Sequence, residues 1–150
     1  MQLLTKNIYI LFFLILFTSL GVANEIFVSL KKNKVNVRYG PSFGSDIKYV
    51  YKKINLPLKQ IDIKENFRRI IDLKNNSGWI HISQLRKKSN SVITIQDKIL
   101  FKRPNNFAEP IAQIKEGRLL ILEKCEKLWC KVITEDYKGW IKTNNIWGLN

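Results

Sequence analysis

The sequence is poor in the residues that most often carry out chemistry. It has one histidine, two cysteines and twelve acidic residues against 26 basic ones. His81 alternates with Ile80 and Ile82, which lie on the opposite face of a predicted strand, and no nucleophile motif accompanies it. Glu135 and Asp136 are the one adjacent pair of carboxylates, in a segment typical of a turn. With no glycine-rich phosphate loop and no metal-spaced cluster of ligands, the sequence predicts no enzyme, no bound metal and no cofactor.

The chain also lacks helical periodicity. Beyond residue 23, no run of ten residues places its apolar side chains with the period of a helix. Ile61 and Ile63 instead alternate with polar residues, which predicts a half-buried strand. The continuous apolar run 119–122 predicts a strand buried on both faces, and Gly117 before it can adopt the positive φ of a hairpin loop. The sequence therefore predicts an all-β fold built from short strands.

The first 23 residues have the pattern of a secretory signal peptide. Lys6 is the only charged residue among them, residues 8–20 are almost entirely apolar, and the small residues Gly21 and Ala23 follow. We therefore expect cleavage after Ala23 and an exported protein, periplasmic or otherwise secreted. The alternative is an uncleaved membrane anchor, although this apolar run is shorter than the roughly 20 residues that a span requires. Membrane contact is expected only through this segment, if it stays uncleaved.

Basic residues are concentrated in the first half of the remaining chain. Residues 24–89 carry 15 basic and 5 acidic side chains, a net charge of +10, whereas residues 90–150 carry 10 and 7, a net charge of +3. An exported protein of this charge is attracted to the anionic polymers and lipid head groups of a cell envelope. The alternative is a lysine-rich composition without a functional meaning. Nucleic acid is not an expected partner of an exported chain.

The two cysteines, Cys125 and Cys130, lie close together in the segment CEKLWC. In an exported chain, an even number of cysteines predicts a disulfide. A metal site would need further ligands, and redox pairs usually have the closer spacing C-x-x-C. We expect Cys125 to end one strand and Cys130 to begin the next, so that the bridge spans a hairpin.

The chain contains an internal repeat. Three segments match at offsets of 63, 62 and 61, namely residues 37–41 with 100–104, 67–70 with 129–132, and 78–80 with 139–141. The slow drift of the offset indicates a duplication with small changes in loop length. Residues 24–88 and 89–150 are therefore predicted to be two copies of one small domain, with the run RKKSNS at 86–91 as a solvated linker. In the first copy, Ile63 and Arg68 occupy the places of the two cysteines.

Three segments of the first copy carry a family resemblance. VNVRYGPS at 35–42, IKYVYKKINLPLKQI at 47–61 and FRRIIDLKNNSGWIHISQL at 67–85 resemble the bacterial SH3-like (SH3b) domain, which opens with a strand and turn of the type L-N-V-R-x-G-P-S and closes with G-W-[IV]. The second copy departs from the opening pattern at Phe101 and Arg103 but keeps the closing one. The tandem layout is similar to a group of exported SH3-like proteins of unassigned function. The resemblance implies two tandem small SH3-like barrels of five strands each, and an association with cell-wall binding.

The repeated Gly-Trp-Ile segment is expected to serve the core of each barrel. Gly78 and Gly139 let a neighbouring strand come close where a side chain would obstruct it. Trp79 and Trp140 are expected to cover the core, each burying about 150–250 Å². A domain of about 60 residues has a thin core and depends on such large side chains. Ligand binding is the alternative role of the two tryptophans.

The candidate ligand-binding residues lie in the first copy and are Arg38, Tyr39, Phe43, Tyr49 and Tyr51. The neighbouring lysines are Lys48, Lys52 and Lys53. Aromatic and cationic side chains together suit a sugar or peptide strand that carries carboxylates. The alternative is that the two tyrosines at 49 and 51 lie along one strand and flank the core.

Two functions are consistent with these features. The first is a non-catalytic exported cell-envelope binding module that contacts peptidoglycan or another anionic envelope polymer. The second is a protein–protein interaction module that docks a periplasmic partner protein or packs its two barrels into one rigid unit.

Overall fold

The computed structural model describes residues 25–150, where the regular structure is β-strand apart from one short 3-10 helix, Ile82–Gln84. The predicted signal peptide, residues 1–23, lies outside the described residues. The first copy contains seven strands: β1 (Ile26–Leu30), β2 (Val35–Arg38), β3 (Ile47–Tyr51), β4 (Pro57–Lys64), β5 (Phe67–Ile71), β6 (Ser77–His81) and β7 (Leu85–Arg86). The second copy contains seven more: β8 (Ser91–Thr94), β9 (Lys98–Phe101), β10 (Pro110–Ile114), β11 (Leu119–Glu126), β12 (Trp129–Ile133), β13 (Lys138–Lys142) and β14 (Ile146–Trp147).

The two sets of strands form two sheets with the same topology. The first sheet has the order β3-β2-β6-β5-β4-β1-β7, and the second has the order β10-β9-β13-β12-β11-β8-β14, which is the first order shifted by seven strands. This repeat confirms the predicted all-β fold of two tandem SH3-like barrels. Each copy has seven strands rather than five because the long segment after its first strand forms a hairpin, β2–β3 in the first copy and β9–β10 in the second.

The two barrels also share their strand register, and this register explains the disulfide. Ile63 faces Arg68 across β4 and β5, and Cys125 faces Cys130 across β11 and β12. The predicted disulfide between Cys125 and Cys130 is confirmed, and no free cysteine remains among residues 25–150.

Each barrel has a small apolar core of its own. The first core is formed by Val28, Leu30, Val35, Val37, Leu58, Ile70, Ile80 and Leu85. The second is formed by Val92, Leu100, Ile114, Leu120, Cys130, Val132 and Ile141. Cores of this size are typical of domains of about 60 residues, in which most side chains have one face on solvent.

The Gly-Trp-Ile segments lie where two strands of a barrel come closest. A Cβ atom at Gly78 would lie 2.4 Å from Cγ1 of Val37, and one at Gly139 would lie 2.7 Å from the carbonyl oxygen of Phe101. Because Cβ atoms do not approach other heavy atoms this closely, both strand contacts require glycine.

The two tryptophans differ in burial: Trp140 is buried, as the predicted core role requires, whereas Trp79 is only half-buried. The isoleucines that follow them, Ile80 and Ile141, are fully buried and belong to the two apolar core clusters. Successive side chains of a strand point to opposite faces, so an inward isoleucine turns the preceding tryptophan outward. Trp79 is half-buried on the outer face. Trp140 is 7% exposed, and Nζ of Lys124 lies 5.2 Å from its ring centroid.

Two strands are less buried than predicted. Ile61 and Ile63 are 44% and 56% exposed, because β1 pairs only with residues 57–60 of β4 and leaves the second half of that strand uncovered. Within 119–122, only Leu120 is buried, since one face of β11 lies on the core and the other faces outward. Gly117, in the turn before β11, has a φ of +77°, as the predicted hairpin loop requires.

The two barrels contact each other through aromatic and amide side chains. The rings of Phe27 and Trp147 meet edge to face, with centroids 4.9 Å apart. Nε1 of Trp147 donates a hydrogen bond of 3.2 Å to the carbonyl oxygen of Pro57. The side-chain amide of Asn150 accepts a hydrogen bond from the backbone N–H of Phe27 at 2.7 Å and donates one to its carbonyl oxygen at 3.0 Å. These contacts hold the barrels in one arrangement.

The segment 86–91 between the barrels is solvated only in part, since Lys87 and Lys88 are exposed but residues 89–91 form contacts with the first barrel. The N–H of Ser89 donates to the carbonyl oxygen of Phe27 at 2.9 Å. The Asn90 amide accepts from the Ser29 hydroxyl at 2.7 Å, and Ser91 is fully buried. Ser89, Asn90 and Ser91 therefore satisfy hydrogen-bonding groups between the barrels, whereas Lys87 and Lys88 face solvent.

The contact between the barrels should make their unfolding cooperative. Trp147→Ala removes the ring contact with Phe27 and the hydrogen bond to Pro57, so we expect the free energy of unfolding to fall by about 2–3 kcal/mol. Urea unfolding should then split from one transition into two, because each barrel keeps its own core. Leu128→Ala, at a side chain that is 72% exposed, is the control and should change neither quantity. An unchanged single transition in Trp147→Ala would contradict the coupling.

The disulfide should contribute modestly to stability. Its cysteines are five residues apart, and closing so short a loop stabilises the folded state by about 2 kcal/mol in the chain-entropy model. We expect a thiol titration of the native protein to find no free thiol. Reduction should lower the Tm of the native protein but not that of Cys125→Ala/Cys130→Ala. Two reactive thiols, or a Tm of the native protein that does not change on reduction, would count against the bridge.

Candidate functional site

The residues of the described chain give no catalytic constellation. Nδ1 of His81 lies 2.8 Å from the Ser83 hydroxyl, and the imidazole packs between the rings of Phe43 and Phe67. Among residues 25–150, no group of three or more histidine, cysteine, aspartate or glutamate side chains is placed to hold a metal ion. None of the helical structure in the same residues is long and apolar enough to cross a membrane.

A cleft on the outer face of the first barrel collects basic and aromatic side chains. This basic cleft has a volume of about 230 Å³ and is lined by Arg38, Tyr39, Lys48, Arg69, Ser77, Gly78 and Trp79. The strand register builds it, because Trp79 in β6 lies opposite Arg38 in β2 on one side and opposite Arg69 in β5 on the other. Three neighbouring strands thus each direct one large side chain to the same surface.

The cations of the basic cleft are oriented by hydrogen bonds to backbone oxygens. Nη1 of Arg38 donates to the carbonyl oxygen of Ser45 at 2.6 Å, and Nζ of Lys48 donates to that of Ser77 at 2.9 Å. Lys48 also lies over the ring of Tyr39, with Nζ 5.6 Å from the centroid. Carbonyl groups position a cation without cancelling its charge.

Within residues 25–150 the cations of this cleft, Arg38, Lys48 and Arg69, form no ion pair within 4.0 Å, although Asp62 lies opposite Arg69 in the strand register. Tyr39 is 67% exposed, so its ring is available to a ligand. The cleft therefore presents positive charge and aromatic surface together.

The structure separates the five predicted ligand-binding residues. Arg38 and Tyr39 line the basic cleft. Phe43 instead packs against Phe67, with ring centroids 5.3 Å apart, although the Arg38 guanidinium still lies 5.8 Å from the Phe43 centroid.

Tyr49 and Tyr51 pack against the first core and hold a turn in place. Their hydroxyl oxygens are 3.4 Å apart, and the Tyr51 hydroxyl donates to Oδ2 of Asp72 at 3.0 Å. Oδ1 of Asp72 accepts from the backbone N–H groups of Lys74 and Asn76 in the β5–β6 turn. Burial raises the pKa of Tyr51, and the hydrogen bond with Tyr49 and the charge of Asp72 raise it further. Both phenols are thus protonated structural groups, as the alternative interpretation of these tyrosines predicted.

Sequence reasoning missed Arg69 and Ser77 as members of the candidate site and gave Trp79 a ligand-binding role only as the alternative. The available signal was the strand alternation around Gly-Trp-Ile, since an inward Ile80 requires an outward Trp79. The size of the tryptophan, rather than its place in the alternation, led to its assignment to the core.

The corresponding face of the second barrel carries different side chains. Phe101 takes the place of Arg38, and the Ile111 side chain reaches the strand contact at Gly139. Glu123 accepts a hydrogen bond of 2.9 Å from Lys138, which lowers the pKa of the carboxyl, and lies 3.8 Å from Lys131. The basic cleft is therefore a property of the first barrel.

These observations define a protein of two small β-barrels with a basic and aromatic cleft on the first, and the comparisons identify its family. The family described as the bacterial SH3 domain matches residues 31–87 and 98–148, which together make up most of the chain. The chain belongs to the bacterial SH3 domain family.

Solved structures give a weaker likeness. NlpC2 from Trichomonas vaginalis is 10% identical with a TM-score of 0.37, and the match covers 82% of this chain and 48% of that one. NlpC1 from the same organism is 11% identical with a TM-score of 0.37, covering 85% and 47%. An NlpC/P60 family protein from Bacillus cereus is 11% identical with a TM-score of 0.33, covering 82% and 57%. The chain spans about half the length of these proteins. No curated protein matches it.

The structural role of Tyr51 can be separated from the exposed role of Tyr39. Tyr51→Phe removes the hydrogen bond to Asp72, so we expect the free energy of unfolding to fall by about 1 kcal/mol. Tyr39→Phe is the matched control and should leave stability unchanged because its side chain faces solvent. Urea unfolding of both variants checks this, and an equal loss in both would contradict the assignment.

Proposed function

We propose that the protein is a non-catalytic, exported cell-envelope binding module whose basic cleft contacts peptidoglycan or another anionic envelope polymer. Bacterial SH3 domains are often cell-wall binding modules and are common in exported proteins. The signal peptide predicted at residues 1–23 supports export.

The observation that carries this proposal is the composition of the basic cleft. Three cations without a carboxylate partner surround a cleft that also contains the rings of Tyr39 and Trp79. Arginine and lysine form charge-assisted hydrogen bonds with carboxylates, and aromatic faces stack on the apolar faces of sugar rings. A polymer that carries both carboxylates and sugars would satisfy every group in the cleft.

Comparison with the second barrel supports the view that the positive charge is specific to the first barrel and does not only reflect a lysine-rich composition. Its equivalent surface carries Glu123 among the lysines and has Phe101 in place of an arginine. If the basic charge reflected composition alone, the two copies would have similar net charges, but the first carries +10 and the second +3. We therefore assign binding to the first barrel.

Co-sedimentation of the mature protein with purified cell wall tests this function. Arg69→Ala and Tyr39→Ala should each weaken binding, and loss of a charge-assisted hydrogen bond at Arg69 should weaken it roughly tenfold or more. Lys131→Ala, at the equivalent place in the second barrel, is the matched control and should bind as the native protein does. Added salt should reduce binding because it screens exposed charges.

The thermal stability of each variant identifies effects on folding. An Arg69→Ala protein with an unchanged Tm and reduced pelleting supports the cleft as the site. Failure of the native protein to pellet with the wall at low salt would rule out the proposed function.

A further inference from the structure

A second concavity lies at one end of the first barrel, beside the 3-10 helix. This end groove has a volume of about 630 Å³, which is within the range of about 300–1,000 Å³ typical of ligand sites. It opens between the β4–β5 hairpin and strands β1 and β7. It is distinct from the basic cleft, since Arg68 of β5 lines the groove, whereas Arg69 lines the cleft on the other face of the same strand.

The floor of the end groove is apolar and recessed. Val28 and Leu85 line it although they are only 3% and 4% exposed, and both belong to the first core. Ile63 and Ile82 stand at its rim and are 56% and 37% exposed. The groove therefore gives an apolar side chain access to the core at a point where the barrel does not close.

The rim of the end groove is strongly basic. Lys31, Arg68, Arg86 and Lys87 line it, and no aspartate or glutamate does. None of the four takes part in an ion pair within the described residues. Nε of Arg86 is buried and has no hydrogen-bond partner in the same part of the chain. Buried polar atoms are rarely left without a partner, so this N–H is a candidate donor to a bound group.

One of these cations is already positioned. Nη1 of Arg68 donates to the carbonyl oxygens of Glu65 and Phe67 at 2.9 and 3.0 Å, which fixes the guanidinium against the β4–β5 loop. Its charge is not cancelled by these contacts, and its remaining N–H groups can still bind a carboxylate.

The fold does not require such a groove, because the second barrel fills the same end. Where Ile63 faces Arg68 in the first barrel, the disulfide Cys125–Cys130 bridges the second. Trp147 in β14 occupies the position equivalent to Arg86 in β7. Its ring contacts Phe27 of the other barrel. The open, basic end is therefore specific to the first copy.

We propose that the end groove binds an extended acidic peptide segment of a partner protein, with an aliphatic side chain on the floor at Val28 and Leu85 and carboxylates on the basic rim. The charge of the rim selects an acidic ligand, and the recessed floor selects one that carries an apolar side chain. A membrane surface fits less well, because apolar residues that insert into a bilayer must protrude, whereas Val28 and Leu85 lie inside the groove.

Fluorescence anisotropy with labelled pentapeptides tests the proposal. The probe is DLEID, and its two matched peptides are DSESD, which keeps the charge, and KLKIK, which keeps the apolar residues. We expect the full chain to bind DLEID roughly tenfold or more tightly than either matched peptide, because each loses one of the two selected features. Equal binding of DSESD and DLEID, or no binding of DLEID, would overturn the proposal.

Variants locate the binding on the protein. Lys31→Gln/Lys87→Gln changes two exposed lysines of the groove and should weaken DLEID binding about tenfold. Lys53→Gln/Lys74→Gln has the same change of net charge in the same barrel, away from the groove, and should bind as the native protein does. Equal effects of the two double variants would show that only net charge matters and would overturn the proposal.

Two further measurements distinguish the end groove from the basic cleft and from a membrane-binding surface. Arg68→Gln should also weaken binding, while the lysine variants keep the test valid if this one fails to fold. Arg69→Ala should leave DLEID binding unchanged, so a failure of the basic cleft and a failure of the end groove are distinguishable. Vesicles of phosphatidylglycerol should not bind through the groove. Vesicle binding that is lost in Lys31→Gln/Lys87→Gln, without peptide binding, would overturn the proposal in favour of a membrane.

Discussion

The close contact of two strands at each Gly-Trp-Ile segment is the constraint on which the barrels depend. At Gly78 the neighbouring strand lies so near that a methyl group would meet Val37, and at Gly139 it would meet the carbonyl oxygen of Phe101. This contact brings β6 onto β2, and β13 onto β9, and the isoleucine two residues after each glycine lies in the core. The core and the outer face are thus determined by the same three residues.

Much of the fold could be predicted from the sequence because the chain contains two copies of the same domain. The offsets of 63, 62 and 61 correspond to the strand registers, as in the pairs Ile63–Arg68 and Cys125–Cys130, which occupy equivalent places. What could not be predicted was burial that depends on neighbouring strands. Ile61 alternates correctly but lies beyond the end of β1, and residues 89–91 look solvated until the contact between the barrels is known.

The candidate site was predictable only in part, since its residues come from three strands. Arg38 and Tyr39 stand in the segment that the sequence marks as aromatic and basic, and they do line the basic cleft. Arg69 joins them through the pairing of β5 with β6, which no local pattern reveals. Tyr51 is an aromatic residue of the same basic segment, but its hydroxyl donates a hydrogen bond to Asp72.

The differences between the copies are concentrated where a ligand could bind. The second barrel keeps the glycine, the inward isoleucine and the strand register, so both barrels need the same residues at these places to fold. Yet its outer face carries Glu123 beside the lysines, and its end is bridged by Cys125–Cys130. Surfaces that the fold leaves free to vary therefore differ between the copies, and the first copy carries both the basic cleft and the end groove. This division agrees with the proposal that the first barrel binds the ligand, while Trp147 of the second barrel packs against Phe27 of the first.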